Sequence, residues 1–380
     1  MSCRRALALL AVLAGTAGPL AAQKVIVNAK LEDLQAAALK DSCDPAAHYN
    51  LAMGYWSKKN YVQADSSLRR AIAIDAQFAD AYLALSVVHS RDGDFRDRIR
   101  KERGDSGFKR WEHENESYAT KAYMLDPLVD IRILGAITKT YGSNRVIRAF
   151  ENLYTGKYQE AYTEFSEDMA FFTETTIPDS VPPLLIWFHS LTAARTGNYG
   201  PAIQDLDVMA RIVAKLSSTS DVPDLSLTAA EIQYMKASYQ LKSGAPGDAL
   251  KGFQFVASLD AGNYMAHVQM ARIYESVRDY PKALAERTNA LNINPEDASL
   301  MLDRGITLGK SGDMAQAETQ LEQAEEANPR DTRILFWLGI AQAEQGKKDS
   351  ARDSFNAFLS RAPSRFDRQI AMAHDRLAKL

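Results

Sequence analysis

Two stretches near the carboxyl end of the chain share one pattern. Residues 298–329 read ASLMLDRGITLGKSGDMAQAETQLEQAEEANP, and residues 332–363 read TRILFWLGIAQAEQGKKDSARDSFNAFLSRAP. A spacing of 34 residues separates the members of three columns: Ala271, Gly305 and Gly339; Ala283, Ala317 and Ala351; and Pro295, Pro329 and Pro363. A period of about 34 residues is typical of stacked helix–turn–helix units. Such arrays build extended binding surfaces and seldom catalytic pockets.

Each recurring residue type has a physical role in such a unit. Small residues midway along the first helix, Gly305 and Gly339, allow two antiparallel helices to approach closely. Gly312 and Gly346, seven residues later, fit a left-handed helix end, and the proline stops the second helix. The pattern therefore predicts two helices in each unit, with large apolar residues on one face of each helix.

The same signal recurs upstream with less regularity. Glycine, alanine and a large apolar residue keep their offsets in three segments: Gly156, Ala161 and Phe165; Gly197, Ala202 and Leu206; and Gly244, Ala249 and Phe253. Arg278 replaces the glycine of the following unit. In the first unit, six residues have the same spacing as the matching residues of the later units: Leu51, Ala52, Tyr55, Ala64, Leu68 and Ala71.

These segments resemble tetratricopeptide repeats, most clearly over residues 45–93 and 264–363. The resemblance implies an all-α, right-handed superhelical solenoid of helix–turn–helix repeats with a C-terminal capping helix. We expect eight hairpins, with turns near residues 59, 93, 156, 197, 244, 278, 312 and 346. The closing helix follows Ser364, and its apolar stripe (Phe366, Ile370, Ala373, Leu377 and Leu380) would face the last repeat, with Arg365, Arg368 and Lys379 outside.

The repeats suggest boundaries along the chain. We expect a signal peptide at 1–22, a lead-in segment at 23–43, an N-terminal repeat block at 44–127 with a basic insertion at 94–111, divergent helical repeats at 128–222, a C-terminal repeat block at 223–363 and the capping helix at 364–380. Within the divergent region, Leu128–Asn144 fits an extra helix. Thr173–Pro183 and Ser217–Asp224 are expected to be loops.

The first 22 residues have the pattern of a secretory signal. Arg4 and Arg5 precede an apolar run from Ala6 to Leu20, and a cleavage site with small residues ends at Ala22. We therefore expect an exported protein, periplasmic or secreted by a bacterium, with no transmembrane segment after cleavage. Cys3 would leave with the signal, so that Cys43 would be the single remaining thiol and no intrachain disulfide would form.

The composition and motifs do not predict an enzyme. A net charge of −3 with 46% hydrophobic and 24% charged residues is ordinary for a folded chain and gives no reason to expect nucleic acid as a partner. The six histidines have no metal-ligand spacing, and no catalytic, cofactor-binding or metal site is expected. The stretch Gly104–Gly107 resembles a protease nucleophile loop but is expected to be a polar loop. Gly305–Ser311 is a shortened phosphate-loop pattern that belongs to a helix.

The first helices of such an array line its concave side, so the partner-binding groove is predicted on them. Twelve residues are candidates: Tyr49, Asn50, Met53, Trp56, Met265, Val268, Arg272, Leu302, Ile306, Phe336, Trp337 and Ile340. Aromatic and methionine anchors with scattered charges favour a peptide or helix as the ligand. The alternative is that these side chains only pack neighbouring first helices together.

Three functions remain open from the sequence. The first is a non-enzymatic exported scaffold or assembly factor that binds a polypeptide in its groove. The second is a periplasmic protein that captures a solute or oligosaccharide in a pocket lined by Trp187, Phe188 and Tyr234. The third is an enzyme whose site lies in the irregular region 94–183. The basic insertion could attract an acidic partner or be an ordinary solvated extension.

Overall fold

The computed structural model describes residues 29–91, 93–136, 144–175, 181–215 and 227–380. Every regular element in these ranges is a helix, and none of their residues lies in a β-strand. The all-α fold class is therefore confirmed. The predicted signal segment 1–22 and the predicted loop Ser217–Asp224 lie outside the described residues. The chain forms two compact units.

Unit 1 contains the residues up to Phe78 together with His267–Leu380. Its described helices are α1 (Leu31–Lys40), α2 (Pro45–Ser57), α3 (Tyr61–Ile74), most of α12 (Tyr264–Ser276), α13 (Tyr280–Ile293), α14 (Ala298–Ser311), α15 (Met314–Ala327), α16 (Thr332–Glu344), α17 (Lys348–Arg361) and α18 (Asp367–Leu377). The predicted lead-in segment thus includes a helix, α1. The predicted boundaries follow the repeats and not this division.

Unit 2 contains Ala79–Ala266. Its described helices are α4 (Ala79–Arg91), α5 (Gly93–Leu125), α6 (Asn144–Tyr154), α7 (Tyr158–Thr175), α8 (Pro183–Arg195), α9 (Tyr199–Lys215), α10 (Ala229–Lys242), α11 (Pro246–Leu259) and the start of α12, with a 3-10 helix at Ile131–Ala136. The region Leu128–Asn144, expected to hold an extra α-helix, therefore contains a short 3-10 helix, and its residues 137–143 lie outside the described ranges.

Left-handed residues end the first helix of most hairpins. Seven of the eight predicted turns contain a residue with positive φ: Lys59, Gly156, Gly197, Gly244, Arg278, Gly312 and Gly346. Arg278 adopts a φ of 61° although it lacks the freedom of glycine, so the turn geometry is kept where the sequence departs from the pattern. The predicted prolines lie just beyond the second helices, as Pro329 does after α15.

Aspartate residues cap the amino ends of many helices of unit 1. They accept hydrogen bonds from backbone N–H groups in the first turns of α2, α13, α14, α15 and α16, at Asp44, Asp279, Asp297, Asp313 and Asp331. In unit 2, Thr228 and Glu231 form a reciprocal capping box at α10. Each cap satisfies an N–H group that has no partner within its own helix.

Glycine allows the two helices of a hairpin to touch. A Cβ atom added at Gly305 would lie 2.8 Å from Cγ of Leu321, and one at Gly339 would lie 2.7 Å from the ring of Phe355. Leu321 and Phe355 are almost fully buried at these contacts. The large residue of the second helix therefore fills the space that the missing side chain leaves on the first.

The first hairpin of unit 1 is joined to the C-terminal helices by polar contacts. Arg333 Nη2 lies 2.9 Å from Asp75 Oδ1, and Arg365 Nε donates to Asp44 Oδ1 at 2.7 Å. The apolar stripe of α18 packs on the last repeat as predicted, through Phe366 and Ala373. The prediction that Arg365 lies on the outer face is wrong, because this side chain is half-buried against Asp44.

The basic insertion is helical and belongs to α5. This helix runs for 33 residues and is interrupted at Gly104, where φ is 65° and ψ is 176°. The prediction of a polar loop at Gly104–Gly107 is therefore wrong, since both sides of the break continue as helix. Only glycine readily adopts this backbone conformation, which explains why the two helical limbs meet at Gly104.

Candidate functional site

Three of the predicted groove residues line one shared apolar depression in unit 1. Ile306 on α14 and Trp337 and Ile340 on α16 line a shallow depression, partly open to solvent, with a cavity volume of about 10 Å³. The remaining lining comes from α14, α15 and α16: Gly305, Gly309, Met314, Ala317, Leu321 and Ala341. Gly309 adds no side chain, so the depression is kept open between neighbouring hairpins. Its lining is apolar, so a hydrophobic group of a ligand could cover it.

Phe336 does not face this depression. Its ring is 1% exposed, lies 5.4 Å from the ring of Phe358 and 6.3 Å from that of Phe355, and so packs against the second helix of its own hairpin. The prediction that Phe336 turns toward the groove is therefore wrong. Leu302 is buried in the same apolar cluster. Helix α16 has buried residues on all sides, which is expected of a helix that lacks a polar face.

Some of the other candidate groove residues are buried in the helix packing, and others reach the surface. Tyr49 and Met53 on α2 are buried, and the Tyr49 ring contacts Phe78 edge-on at 5.8 Å. Asn50 and Trp56 are half-buried, and the Oδ1 atom of Asn50 has no hydrogen-bond partner in the described part of the chain.

The candidate groove residues on helix α12 are likewise either buried or exposed. Met265, in unit 2, and Val268, in unit 1, are buried, whereas Arg272 is exposed. The candidates with surface to offer a ligand are therefore Asn50, Trp56, Arg272 and Ile306, with the edges of Trp337 and Ile340 in the depression. A binding role for any of them stays a prediction.

The aromatic residues proposed to line a solute pocket belong to the packing of unit 2. Trp187 contacts Tyr123 edge-on at 5.2 Å, and Phe188 packs against Phe150 at 4.7 Å. Tyr234 is fully buried, and its hydroxyl donates to the Met124 carbonyl at 2.6 Å. All three rings thus have protein groups as neighbours, which gives the solute-binding alternative no support.

A buried network of charges connects three successive helices of unit 1. Glu275 on α12 accepts from Arg287 on α13 at 3.0 Å and from Lys310 on α14 at 2.7 Å. Thr307 donates to the same carboxylate at 2.6 Å, and Arg287 also binds Asp303 at 2.7 Å. Burial by itself would raise the pKa of Glu275, but the two cations outweigh it and hold the pKa at about 2.

Sequence reasoning missed a Ser–His–Asp chain in unit 2. His189 Nδ1 lies 2.6 Å from Asp205 Oδ2, and His189 Nε2 lies 2.9 Å from Ser166 Oγ. Burial raises the pKa of Asp205, although the hydrogen bond from His189 opposes this. The three residues lie on α7, α8 and α9, close to the irregular region where an enzyme site was considered.

The Ser166 hydroxyl is poorly placed to act as a nucleophile. It carries one proton, and the Tyr162 carbonyl one turn earlier, at 2.7 Å, competes for that proton with His189 Nε2 at 2.9 Å. Ser166 also lies within α7, where helical hydrogen bonds occupy the nearby N–H groups that an oxyanion hole would need. The chain of contacts ties three helices together.

No group of three or more His, Cys, Asp or Glu side chains among the described residues is arranged to hold a metal ion. In the same residues, no helix combines the length and hydropathy needed to cross a membrane.

Comparisons with known proteins support the repeat assignment for two segments. Tetratricopeptide repeat models match residues 45–78 and 302–366, which correspond to the first hairpin and to α14–α17. The resemblance is confirmed there. A curated relative, the cytochrome c-type biogenesis protein CycH of Bradyrhizobium diazoefficiens, is 26% identical over 98 residues. That match covers 25% of this chain and only 27% of the relative.

Several solved structures are similar to parts of the chain. The C-terminal part of a TPR repeat-containing protein from Cytophaga hutchinsonii is 13% identical, with a TM-score of 0.48, covering 62% of this chain and 86% of that one. MamA is 16% identical with a TM-score of 0.39, covering 47% and 96%. A thermophilic TPR protein of Thermus thermophilus is 20% identical with a TM-score of 0.38, covering 52% and 99%. At TM-scores below 0.5, none of them defines how the repeats of this chain are arranged.

The charge network makes a pH-dependent prediction. Glu275→Gln should lower the free energy of unfolding by about 3 kcal/mol at pH 7, because a carboxyl pKa of about 2 in the fold against its ordinary value of 4.5 corresponds to that energy. Since the pKa is lowered by folding, this stabilisation is present above pH 4.5 and is lost as the pH falls toward 2. Urea unfolding of both proteins from pH 7 to pH 2 measures the difference.

Glu344→Gln is the matched control for this experiment. Glu344 pairs with Arg376 at 2.7 Å, but it is exposed and the pair is solvated, so its loss should cost less than about 1 kcal/mol. A difference between Glu275→Gln and wild type that stays constant over the whole pH range would contradict the assignment of the low pKa to Glu275.

Proposed function

We propose that this protein is a non-enzymatic scaffold or assembly factor that binds a polypeptide partner through its repeats. Tetratricopeptide-type arrays present extended surfaces to other proteins, and repeats of this kind match two segments of the chain. The observation that carries the proposal is the apolar depression between α14, α15 and α16, where Ile306, Trp337 and Ile340 meet. In this proposal an apolar side chain of the partner covers the depression, with Asn50, Trp56 and Arg272 as further contact residues.

An assembly role in the cell envelope is part of the proposal. The similarity to a cytochrome c-type biogenesis protein over 98 residues supports assembly over capture of a solute. The pattern of residues 1–22 supports export to the periplasm or medium.

Export has its own test. Amino-terminal sequencing of the protein purified from the periplasm or medium of its own cells should give a chain that begins at Gln23. Recovery only from the cytoplasm, with residues 1–22 still attached, would contradict export by a cleaved signal.

The binding site is tested by a pair of matched substitutions. Ile306→Glu places a charge in the depression, whereas Ala315→Glu places the same charge on an exposed position of α15. Captures from an extract of the protein's own cells, quantified by mass spectrometry, should show a defined partner with wild type and with Ala315→Glu. Recovery with Ile306→Glu should fall roughly tenfold or more, because a buried unpaired charge opposes binding.

Circular dichroism of both variants first establishes that they are folded. Equal recovery of the same partners by both variants would remove the depression from the interface. Absence of any specifically captured polypeptide, or turnover of a substrate by the purified protein, would contradict the proposed function itself.

A further inference from the structure

The basic insertion forms the first part of α5 and has a defined structure. We call residues 93–111 the basic arm. Gly104 divides it into two helical limbs, and the side chains of Ile99, Phe108 and Trp111 form a buried cluster between them. The backbone break and the apolar cluster together give the arm a defined shape, unlike a charged stretch that is merely solvated.

Aromatic contacts hold this shape and tie the arm to unit 2. The guanidinium of Arg100 lies 4.0 Å from the centre of the Phe108 ring. The guanidinium of Arg96 lies 5.8 Å from the same ring centre. The Trp111 ring lies 5.2 Å from the ring of His89, which is fully buried on α4. The limbs are therefore fixed to each other and to the neighbouring helix of their own hairpin.

The outside of the arm is strongly basic. Its seven cationic residues are all exposed: Arg96, Arg98, Arg100, Lys101, Arg103, Lys109 and Arg110. With four acids, residues 94–111 carry a formal charge of +3, in a chain whose net charge is −3. In the described part of the chain, Lys101, Arg103, Lys109 and Arg110 have no ion-pair partner. These four charges are available to a ligand.

The chemistry of the arm selects among anionic partners. Among the arm side chains that the structure describes, the large apolar ones, Ile99, Phe108 and Trp111, are buried, so they offer neither an apolar face for insertion into a lipid surface nor a ring for stacking on a base. The exposed acids Asp97, Glu102 and Asp105 lie among the basic residues and would be repelled by a uniformly anionic membrane. A polypeptide can match such a mixed pattern, because its own charges are individually placed.

We propose that the basic arm is a second interaction surface of this protein, which binds an acidic polypeptide segment. This surface lies in unit 2 and is independent of the apolar depression in unit 1, so its test does not depend on the proposed function. Its contribution is electrostatic, which steers association and weakens with ionic strength.

The experiment measures binding of a fluorescein-labelled peptide of about 20 residues, with glutamate at every second position, to the whole protein by fluorescence anisotropy. The arm variant is Arg103→Glu with Lys109→Glu and Arg110→Glu. The control variant makes the same change in charge at exposed residues elsewhere in unit 2: Lys157→Glu, Arg211→Glu and Lys242→Glu. Vesicles containing an anionic phospholipid are measured in parallel.

We expect the arm variant to bind the acidic peptide at least about tenfold more weakly than wild type, with the control variant within about twofold. Raising the salt from about 50 to about 300 mM, which shortens the screening length, should remove the difference. If the arm variant and the control variant lost affinity for the peptide equally, the net charge of the protein alone would explain the binding, and the proposal would be overturned. Binding to the vesicles without binding to the peptide would overturn it in favour of a membrane surface.

Discussion

The close contact between the two helices of a hairpin, at Gly305 and Gly339 of the last two repeats, is the constraint on which the C-terminal repeats depend. Gly305 and Gly339 bring the backbone of a first helix against Leu321 and Phe355 of the second, and both large side chains are buried as a result. A side chain at either glycine would occupy space that is already filled. The left-handed turns follow from the same requirement, because they return the chain directly along the helix that it has just completed.

Charged side chains link helices both within a hairpin and between successive hairpins. Glu275 on α12 pairs with Arg287 on α13 of the same hairpin and with Lys310 on α14 of the next. Buried charges of this kind contribute little net stability compared with apolar side chains, but removal of one member is costly. The Glu275–Lys310 pair links α14 to the preceding hairpin. Helix α14 also supplies Ile306, which meets Trp337 of the next hairpin.

The sequence predicted the helices and turns well, because these depend on local rules. Even Arg278, which breaks the glycine column, adopts the left-handed conformation that its position in the period requires. The candidate site was predicted less well. Helical periodicity places Phe336 on a particular face, but α16 is apolar on every face, so periodicity could not tell which face is covered by Phe355 and Phe358.

Two other features depended on contacts that a repeat pattern does not contain. The sequence predicts a polar loop at Gly104–Gly107, but the structure has two helical limbs there, packed through Ile99, Phe108 and Trp111. The His189–Asp205 contact has a recognisable spacing, since polar pairs 16 residues apart also join the helices of other hairpins: Arg148 with Glu164, and Arg304 with Gln320. A search for complementary residues at that spacing would have found it.

The central claim is that close backbone contact at Gly305 and Gly339 holds the last two hairpins together, and the stability of two alanine variants tests it most directly. A Cβ at Gly339 would meet the Phe355 ring at 2.7 Å, whereas one at Gly309 would lie 3.9 Å from Met314 Sδ. In urea unfolding, Gly339→Ala should lose about 1–3 kcal/mol through overpacking, and Gly309→Ala should gain about 0.5–1 kcal/mol from helix propensity. A Gly339→Ala variant as stable as wild type would contradict the claim.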